Sequence, residues 1–528
     1  MAIAIDFGTS NTVVARWNPA RSQPETLKLP GLSAISAQNP PLIPSLLYVE
    51  DAAQSKVILG QQVRDKGLDL SGNSRFFRNF KRGIGTSVQG FVPELDGQIV
   101  NFERVGEWYL SQIVSSIREL PLPVDSLIFT VPVDSFEAYR NWLGKVSQSL
   151  QVEQVRMLDE PTAAALGYGL ADRENLLVID FGGGTLDLSL VRLDSNGKKP
   201  LGFILKWGEK LLADLEGQKA KVARVLAKAG QNLGGSDIDN WLVDCFVKTK
   251  GLVKSPITTR LAERLKIQLS LLDRATEVYF DDENFESYEL ELERAEFESI
   301  LAEHGFFDNL DECMNQVLQQ ARRQGLEIGD IDAVLLVGGT VQIPAVGRWI
   351  EQYFDRAKIK CDRPFEAIAQ GALQLSQGIE IKDFLYHSYG IRYWNRRENC
   401  HSWHSLIKSG QSYPMSEPIE LVLGASVENQ PSIELIIGEL GAETGGTEIY
   451  FDGDRLITKQ FAGQTSVQPL NDKDGARSIA QLTPPGYPGG DRIKIFFRVD
   501  EQRFLRITVE DLLTNATLLE DKAVVQLS

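Results

Sequence analysis

The chain has 528 residues, of which 43% are hydrophobic and 24% charged, a composition typical of soluble globular proteins with several packing units. Aspartate and glutamate outnumber lysine and arginine by 72 to 55, giving a formal net charge of −17. This balance, with no long basic cluster, argues against nucleic acid and anionic membranes as partners. No apolar run approaches the ~18 residues that span a bilayer, and the sequence opens directly on an apolar strand. We therefore expect a cytoplasmic protein.

The cysteines are scattered without paired spacing, which is typical of a reducing compartment rather than a disulfide framework. One segment, CHSWH, brings Cys400, His401 and His404 close together in sequence. Three ligands on one loop lack the usual fourth, so we do not expect a metal there.

From Met1 to about Ile381, apolar runs that end in Gly or Pro alternate with helical patterns. The runs are AIAIDFG, SLIFTVP, LLVIDFG and AVLLVGG, and the helical patterns include VGEWYLSQIVSSIREL and ITTRLAERLKIQLSLL. Continuous apolar runs are typical of strands buried on both faces. This part of the chain is predicted to be α/β.

After about Gly390, helical periodicity gives way to alternation and turns. In RIKIFFRVDEQRFLRITVED, one face of a predicted hairpin is formed by Ile493, Ile495, Phe497 and Val499 and by Leu505, Ile507 and Val509. We predict an all-β sandwich. The joining segment IEIKDFLYHSYGIRYW is apolar, not rich in Gly, Ser or Pro, and is expected to dock rather than to act as a passive tether.

Two nearly identical segments, IDFGTSNT at the start of the chain and IDFGGGTLDLS from Ile179, each predict a strand, a tight turn and a returning strand. Glycines allow backbone N–H groups to approach a polyphosphate, and Thr9, Ser10 and Thr185 add side-chain donors. Asp6 and Asp180 would repel phosphate unless a cation intervened, which indicates Mg²⁺ held through water. One copy alone would equally fit an ordinary hairpin, but two copies favour a nucleotide tail held from both sides.

These segments and five others resemble the seventy-kilodalton heat-shock chaperone family, the DnaK-type proteins, within the superfamily of actin and the sugar kinases. The others, in the family's order, are DEPTAAALGYG, NLGGSDIDN, ERLKIQLS, VLLVGGTVQIPAV and RPFEAIAQGA. The resemblance implies an actin-like two-lobed ATPase domain with a duplicated ribonuclease H-like fold at residues 1–380. It further implies a hydrophobic linker at 381–388 and a substrate-binding-like β-sandwich at 389–528.

The resemblance also assigns site residues. Asp6 and Asp180 match the residues that orient hydrated Mg²⁺, and the catalytic matches are Lys81, Glu160, Asp187 and Thr185. The remaining matches are to nucleotide contacts: Gly8, Thr9, Ser10, Asn11, Gly182, Gly183, Gly184, Gly234, Gly235, Ser236, Glu263, Lys266, Ser270, Gly338, Gly339 and Gln342. Without the family, the better interpretation of Lys81 would be a surface charge, of Glu160 a helix start before Pro161, and of Asp187 a strand end.

The part of the site that would bind the adenine base departs from the family pattern. Two arginines that sandwich adenine in the family are replaced by Ile267 and Gln342. If each stack contributes ~1 to 2 kcal/mol, losing both weakens ATP binding by roughly one to three powers of ten. We expect ATP to bind more weakly and with looser base selectivity, because the phosphate residues are intact.

Two further departures affect the expected partners. The segment SNGKKPLGFILKWGEKLLADLEGQ is an insertion, and the stretch from Asn240 to Glu263 is shorter than usual in the lobe that meets exchange factors. No helical lid is expected after DKAVVQLS, so a bound peptide should dissociate quickly. Trp403 and Ile433 match groove positions but would equally fit the core of the sandwich.

The resemblance implies coupling through Pro132, Arg140, Asp383 and Leu385, with a linker that docks on the ATPase lobes in one nucleotide state. The predicted function is a chaperone-like protein that binds ATP and Mg²⁺, hydrolyses ATP slowly and binds polypeptide clients, with a J-domain co-chaperone and a nucleotide-exchange factor as further partners. One alternative is a nucleotide-dependent scaffold for a single partner. The other is a small-metabolite kinase of the same fold.

Overall fold

The structure is a computed structural model in which the residues that can be described fall into ranges with gaps between them. They are 2–36, 38–70, 72–86, 92–122, 124–132, 137–150, 152, 154–169, 174–194, 222–281, 285–374, 384–385, 388–395, 400–408, 411–415, 417–440, 447–452, 455–460, 467–472, 478–500 and 503–527. The predicted insertion at 195–218 lies outside them.

Up to residue 374, strands and helices alternate along the chain. The strands are β1 (Ala2–Phe7), β2 (Asn11–Asn18), β3 (Gln23–Thr26), β4 (Ile43–Pro44), β5 (Leu46–Asp51), β6 (Lys56–Leu59), β7 (Phe76–Arg78), β8 (Glu94–Leu95), β9 (Gln98–Ile99), β10 (Ser126–Val131), β11 (Gln154–Asp159), β12 (Asn175–Phe181), β13 (Leu186–Asp194), β14 (Val222–Gln231), β15 (Arg274–Asp281), β16 (Glu286–Glu293), β17 (Ala333–Val337) and β18 (Ile359–Lys360). The helices are α1 (Gln61–Asp65), α2 (Phe102–Arg118), α3 (Glu137–Ser149), α4 (Glu160–Gly167), α5 (Gly235–Lys250), α6 (Pro256–Leu269), α7 (Arg294–Glu303), α8 (Phe306–Arg323), α9 (Pro344–Ile350) and α10 (Ala367–Ala372). Short 3₁₀ segments are Phe80–Gly83, Ile328–Asp330, Gly339–Gln342 and Arg356–Lys358.

From residue 384 onward, the elements of the described residues are strands. They are β19 (Phe384–Leu385), β20 (Ser388–Asn395), β21 (Cys400–Ile407), β22 (Gln411–Ser412), β23 (Ile419–Gly424), β24 (Gln430–Leu435), β25 (Ile437–Leu440), β26 (Thr447–Asp452), β27 (Arg455–Gln460), β28 (Val467–Pro469), β29 (Ser478–Gly486), β30 (Asp491–Val499), β31 (Phe504–Asp511) and β32 (Ala516–Gln526).

The chain divides into two compact units. The larger spans Met1–Gly197, Ile204–Ile381 and Glu448–Lys459, and the smaller spans Lys198–Phe203, Lys382–Thr447 and Gln460–Ser528. The larger unit is mixed α/β with several sheets, as the alternation of apolar runs and helical patterns predicts. The predicted boundaries at 381–388 stay a prediction.

Two sheets of the larger unit have the same strand order and directions. One runs β11-β10-β1-β2-β3 and the other β18-β17-β12-β13-β14. In the first sheet, β1, β2 and β3 pair in antiparallel fashion, and β10 and β11 run parallel to β1. In the second sheet, β12, β13 and β14 pair in antiparallel fashion, and β17 and β18 run parallel to β12. In the central strands β1 and β12, consecutive side chains are buried on both faces of the sheet, which is why AIAIDF and NLLVIDF are almost continuously apolar. This match favours the predicted duplication, which remains to be tested.

Small residues allow α4 and α10 to cross in close contact beside these sheets. A side chain at Gly167 would collide with the carbonyl of Ala367, and one at Gly371 would collide with the carbonyl of Ala163. The neighbouring alanines are fully buried in a core that also includes residues of β1 and β12. This close packing fixes the start of α4, where Glu160 lies.

The smaller unit contains two four-stranded sheets, β21-β20-β25-β28 and β23-β30-β31-β32. The predicted hairpin is present as β30 and β31, and its seven alternating apolar residues are all buried in one core. A buried ion pair, Arg492 to Asp511 at 2.8 Å, lies near one end of β30. The sandwich arrangement itself stays a prediction.

Candidate functional site

The two repeated segments form turns that lie beside each other. Gly8–Ser10 joins β1 to β2, and Gly182–Thr185 joins β12 to β13. A side chain at Gly183 would collide with the Ser10 side chain, and a Cβ at Gly184 would lie 2.5 Å from Thr9 Oγ1. The second turn therefore passes the first so closely that a side chain at Gly183 or Gly184 would displace the side chain of Ser10 or Thr9.

Gly234 and Gly235, at the start of α5, lie against the second turn. Gly235 donates from its backbone N to Gly182 O (3.1 Å), and Ser236 donates to Gly183 O (2.9 Å). A Cβ at Gly234 would lie 2.5 Å from the Gly183 backbone. These contacts hold the second turn from behind, and they place the amino terminus of α5 next to it, where a helix favours anions.

The turns line a cavity of about 560 Å³ within the larger unit. Most predicted site residues line it: Asp6, Gly8, Thr9, Ser10, Asn11, Lys81, Glu160, Asp180, Gly182, Gly183, Gly184, Thr185, Gly235, Glu263, Lys266, Ser270, Gly338, Gly339 and Gln342. Asp187, Gly234 and Ser236 are not among its lining residues. Asp187 lies opposite Asp180 in the antiparallel register of β12 and β13. Ser236 donates to Asn79 Oδ1 at 3.0 Å.

Lys81 and Glu160 form an ion pair inside this cavity. Lys81 Nζ donates to Glu160 Oε1 at 3.2 Å, and it lies 5.7 Å from the centroid of the Phe7 ring. Glu160 begins α4, whose first turn is capped by Asp159 accepting from Thr162 N at 2.9 Å. Burial alone would lower the pKa of Lys81, but the Glu160 carboxylate raises it above the ordinary value. The amine is therefore a cation at neutral pH.

Carboxylates outnumber cations around Lys81. Burial, and then the charge of Glu160, raises the pKa of Asp6 to about 6, although Thr130 donates to it at 2.8 Å. Burial, followed by Glu160 and Asp187, also raises the pKa of Asp180. This excess negative charge would be relieved by a divalent cation, and an all-oxygen donor set suits Mg²⁺.

Asp6 and Asp180 both line the cavity, and carboxylate oxygens are donors that suit a hydrated Mg²⁺ ion. Among the described residues there is no group of three or more His, Cys, Asp or Glu side chains placed to hold a metal directly.

Helix α6 forms another wall of the cavity. Lys266 Nζ lies 2.7 Å from Asp239 Oδ1 and donates to Gly235 O at 2.7 Å. Arg64 of α1 donates to both carboxylate oxygens of Glu263, at 3.0 and 2.9 Å. Burial opposes ionisation of Glu263, but Arg64 and Lys266 hold its pKa below the ordinary value. Glu263 is therefore charged and fixed in orientation.

The loop after β17 completes this end of the cavity. Gly338 has φ 87°, which favours glycine, and its N–H donates to Pro364 O at 2.7 Å. Thr340 Oγ1 donates to Gly182 O at 2.8 Å, which ties the loop to the second turn. Gln342 and Phe365 also line the cavity here.

Sequence reasoning missed four residues at the site. Arg82 donates to Gly184 O and to Asp237 Oδ1, the latter at 3.1 Å. Its position directly after Lys81 was the available signal. Thr340 directly follows Gly339, and Phe365 lies in the segment RPFEAIAQGA, so both had a similar local signal. Arg64 had none, because its role depends on a contact with the distant residue Glu263.

Among the predicted coupling and groove residues, those whose side chains the structure describes do not line this cavity. Pro132 follows β10, Asp383 and the side chain of Arg140 lie outside the described residues, and Leu385 is fully buried in the core of the smaller unit. Ile433 is 7% exposed and belongs to that core, and Trp403 lies on β21 against Gly438. The burial of Ile433 favours its core alternative.

A mixed α/β unit with two glycine-rich turns around one carboxylate-lined cavity is typical of a nucleotide-binding protein. A family model described as Hsp70 protein matches residues 92–199 and 218–392, more than half of the chain. The chain belongs to the Hsp70 family, and the predicted resemblance is confirmed. The match is interrupted where the insertion was predicted.

Membership makes the chain a chaperone-type nucleotide-binding protein. The family has an actin-like ATPase fold, and its members generally bind ATP with Mg²⁺. In the part of the chain that the structure describes, no helix has the length and apolar character needed to cross a bilayer.

Proposed function

We propose that the chain binds MgATP between its two turns, hydrolyses it slowly and uses the nucleotide state to control polypeptide binding. The observation that carries this is the juxtaposition of Ser10 with Gly183 and of Thr9 with Gly184. Two turns in contact range can hold one polyphosphate from both sides, through backbone N–H groups and the hydroxyls of Thr9, Ser10 and Thr185.

The proposed hydrolysis depends mainly on positioning and electrostatics. Lys81, charged and held by Glu160, would donate to the attacking water and to the γ-phosphate. Asp187, beside Asp180 in register, would help to orient that water, and Thr185 would donate to the β- and γ-phosphates. Mg²⁺, when bound near Asp6 and Asp180, would supply neutralisation of the phosphate charge.

The proposed control of polypeptide binding requires that the nucleotide state be transmitted from the cavity to the smaller unit. Pro132 directly follows β10, whose Thr130 donates to Asp6, and Arg140 lies on α3. We propose that they relay nucleotide state toward the segment at Asp383. Leu385 is buried in the core of the smaller unit, which gives it a structural role there.

A second candidate is a nucleotide-dependent scaffold whose smaller unit recognises one folded partner. The burial of Ile433 in the core favours this candidate, because a core residue is not available to an extended peptide. The first proposal includes a J-domain co-chaperone and a nucleotide-exchange factor as further partners.

The test is peptide-stimulated ATPase measured on the purified full chain. A panel of unfolded peptides should raise phosphate release if the chain is a chaperone, and ATP should lower peptide affinity. Basal ATPase without any response to the panel would instead support the scaffold. Absence of both ATP binding and hydrolysis would remove the proposal.

A further inference from the structure

Ser45, the residue between β4 and β5, forms two hydrogen bonds to the first turn. Its backbone N–H donates to Ser10 O at 2.8 Å, and its side-chain hydroxyl donates to Gly8 O at 2.7 Å. Only 1% of Ser45 is exposed, so water does not compete for either bond. Ser45 therefore holds the carbonyl groups at both ends of the turn that joins β1 to β2.

The Ser45 hydroxyl is the last of three buried hydroxyls that are hydrogen-bonded in series. Tyr109 Oη donates to Thr12 Oγ1 at 3.1 Å, with Pro44 O at 3.2 Å as a second acceptor, and Thr12 Oγ1 lies 3.2 Å from Ser45 Oγ. A hydroxyl has one proton to donate, and a carbonyl has none. Since Ser45 gives its proton to Gly8 O, the bond between Thr12 and Ser45 must be donated by Thr12. The series therefore runs in one direction, from α2 to the first turn.

Packing holds the start of this series in place. Tyr109 and Thr12 have no exposed surface. The Tyr109 ring packs on Phe7 and Phe80, with centroids 5.5 and 5.4 Å apart. Burial raises the pKa of the Tyr109 hydroxyl above its ordinary value, so the hydroxyl keeps its proton. Buried hydrogen bonds in series polarise and strengthen one another, so the bond to Gly8 O is well fixed.

This bond determines which way the next peptide unit faces. The peptide bond between Gly8 and Thr9 is trans and planar, so its C=O and N–H point in opposite directions. Ser45 does not line the large cavity, whereas Gly8 and Thr9 do. Without the bond from Ser45, a peptide that follows glycine can rotate at little cost, and rotation would turn a carbonyl oxygen toward a bound anion.

We propose that Ser45 is a positioning residue for a bound polyphosphate. Oriented by the other two hydroxyls, it keeps the peptide unit between Gly8 and Thr9 with its N–H available to a phosphate oxygen and its carbonyl turned away from the anion. The inference rests on the proposed binding of MgATP in this cavity. It gives the three buried hydroxyls a role in phosphate affinity in addition to any role in stability.

The test is calorimetric titration of the full chain with MgATP and with magnesium tripolyphosphate, a polyphosphate without a nucleoside. Ser45→Ala removes the hydroxyl and keeps the backbone bond to Ser10. It should raise the Kd of both ligands by the same factor, about tenfold, because the lost contact acts on the phosphates. Tyr109→Phe keeps the packed ring and should raise both Kd values by about threefold.

Ser147→Ala is the matched control. Ser147 is 3% exposed, and its hydroxyl donates to Leu143 O at 2.6 Å within α3, so the substitution removes an equally buried hydroxyl away from the turn. Both Kd values should stay within about twofold of wild type. Thermal unfolding of each variant measures stability separately.

The outcomes distinguish the two proposals. If the wild-type chain binds neither MgATP nor tripolyphosphate, the proposed function fails and this inference fails with it. If wild type binds both, and Ser45→Ala loses stability but keeps the affinities of Ser147→Ala, the hydroxyls serve the fold alone and the inference is overturned. If Ser45→Ala does not fold, Tyr109→Phe decides: a parallel weakening of both ligands supports the inference, and unchanged affinities overturn it.

Discussion

Lys81 Nζ lies 3.2 Å from Glu160 Oε1, and only 11% and 10% of the two side chains are exposed. Lys81 is joined to this carboxylate across 79 positions of sequence, beside the acidic residues of both turns. A charged amine held at that place can stabilise negative charge that develops during phosphoryl transfer.

The first prediction concerns this pair. Lys81→Ala should lower single-turnover ATP hydrolysis by about 10²- to 10³-fold, because it removes a preorganised donor, while MgATP affinity changes only a few fold. Phosphate release and calorimetry measure the two quantities. Lys254→Ala, which removes a half-exposed lysine paired with Asp244, is the control. Unchanged hydrolysis in Lys81→Ala would refute the assigned role.

The second prediction concerns pH. The pKa of Asp6 is raised from 3.8 to about 6, so in the metal-free protein its contribution to stability is present below about pH 4 and lost as pH rises through 6. Metal binding requires the ionised form, so MgATP affinity should fall as pH is lowered through 6. Thermal unfolding against pH, with and without MgATP, measures both effects. Asp6→Asn should flatten both profiles, and profiles identical to wild type would count against a charged Asp6 at the metal.

The third prediction concerns the bond between α1 and α6. Arg64 lies beside the cavity and donates to both oxygens of Glu263. Arg64→Ala should accelerate nucleotide release several fold, since partly buried charged hydrogen bonds act mainly on dissociation rates. Stopped-flow displacement of a fluorescent nucleotide measures this rate. Arg348→Ala, which breaks the more exposed pair with Glu298, should leave the rate unchanged. Equal rates in both variants would exclude Arg64 as a restraint on release.

The fourth prediction concerns the missing arginines. Ile267→Arg and Gln342→Arg each place a guanidinium at a position that lines the cavity. Each should tighten MgATP binding by roughly 5- to 30-fold if stacking contributes about 1 to 2 kcal/mol. Gln316→Arg, on the exposed face of α8, is the control and should have no effect. Weaker binding in both site variants would show that the base lies elsewhere.

The fifth prediction separates structure from coupling in the joining segment. Leu385 is fully buried in the smaller unit, so Leu385→Ala should lower the free energy of unfolding of that unit by about 2 to 5 kcal/mol. Asp383→Ala should leave thermal unfolding unchanged and reduce peptide stimulation of the ATPase. Stimulation that survives in Asp383→Ala would contradict the proposed role of Asp383.

Local chemistry explains which parts of the site could be predicted. The two turns are encoded within a few residues each, and their repetition in matching strand contexts indicates one shared ligand. The hairpin of β30 and β31 was equally predictable, because a period of two places Ile493, Ile495 and Phe497 on one buried face.

The remaining contacts are long-range. Arg64 meets Glu263 across 199 positions, and nothing in the local sequence of either residue indicates the other. Phe365 lies in a motif that was recognised, yet its contact with Gly339 depends on how two loops pack. Leu385 was predicted to act in coupling, but it lies in the core of the smaller unit. The local sequence does not distinguish an apolar residue of a joining segment from an apolar strand residue in a core.

The most direct test of the account is a calorimetric titration of the full chain with ATP, in the presence of Mg²⁺ and in the presence of EDTA. The two turns, with the carboxylates of Asp6 and Asp180 in the same cavity, predict one equivalent of bound ATP, with affinity at least about tenfold higher when Mg²⁺ is present. Absence of binding under both conditions, or equal affinity with and without Mg²⁺, would contradict it.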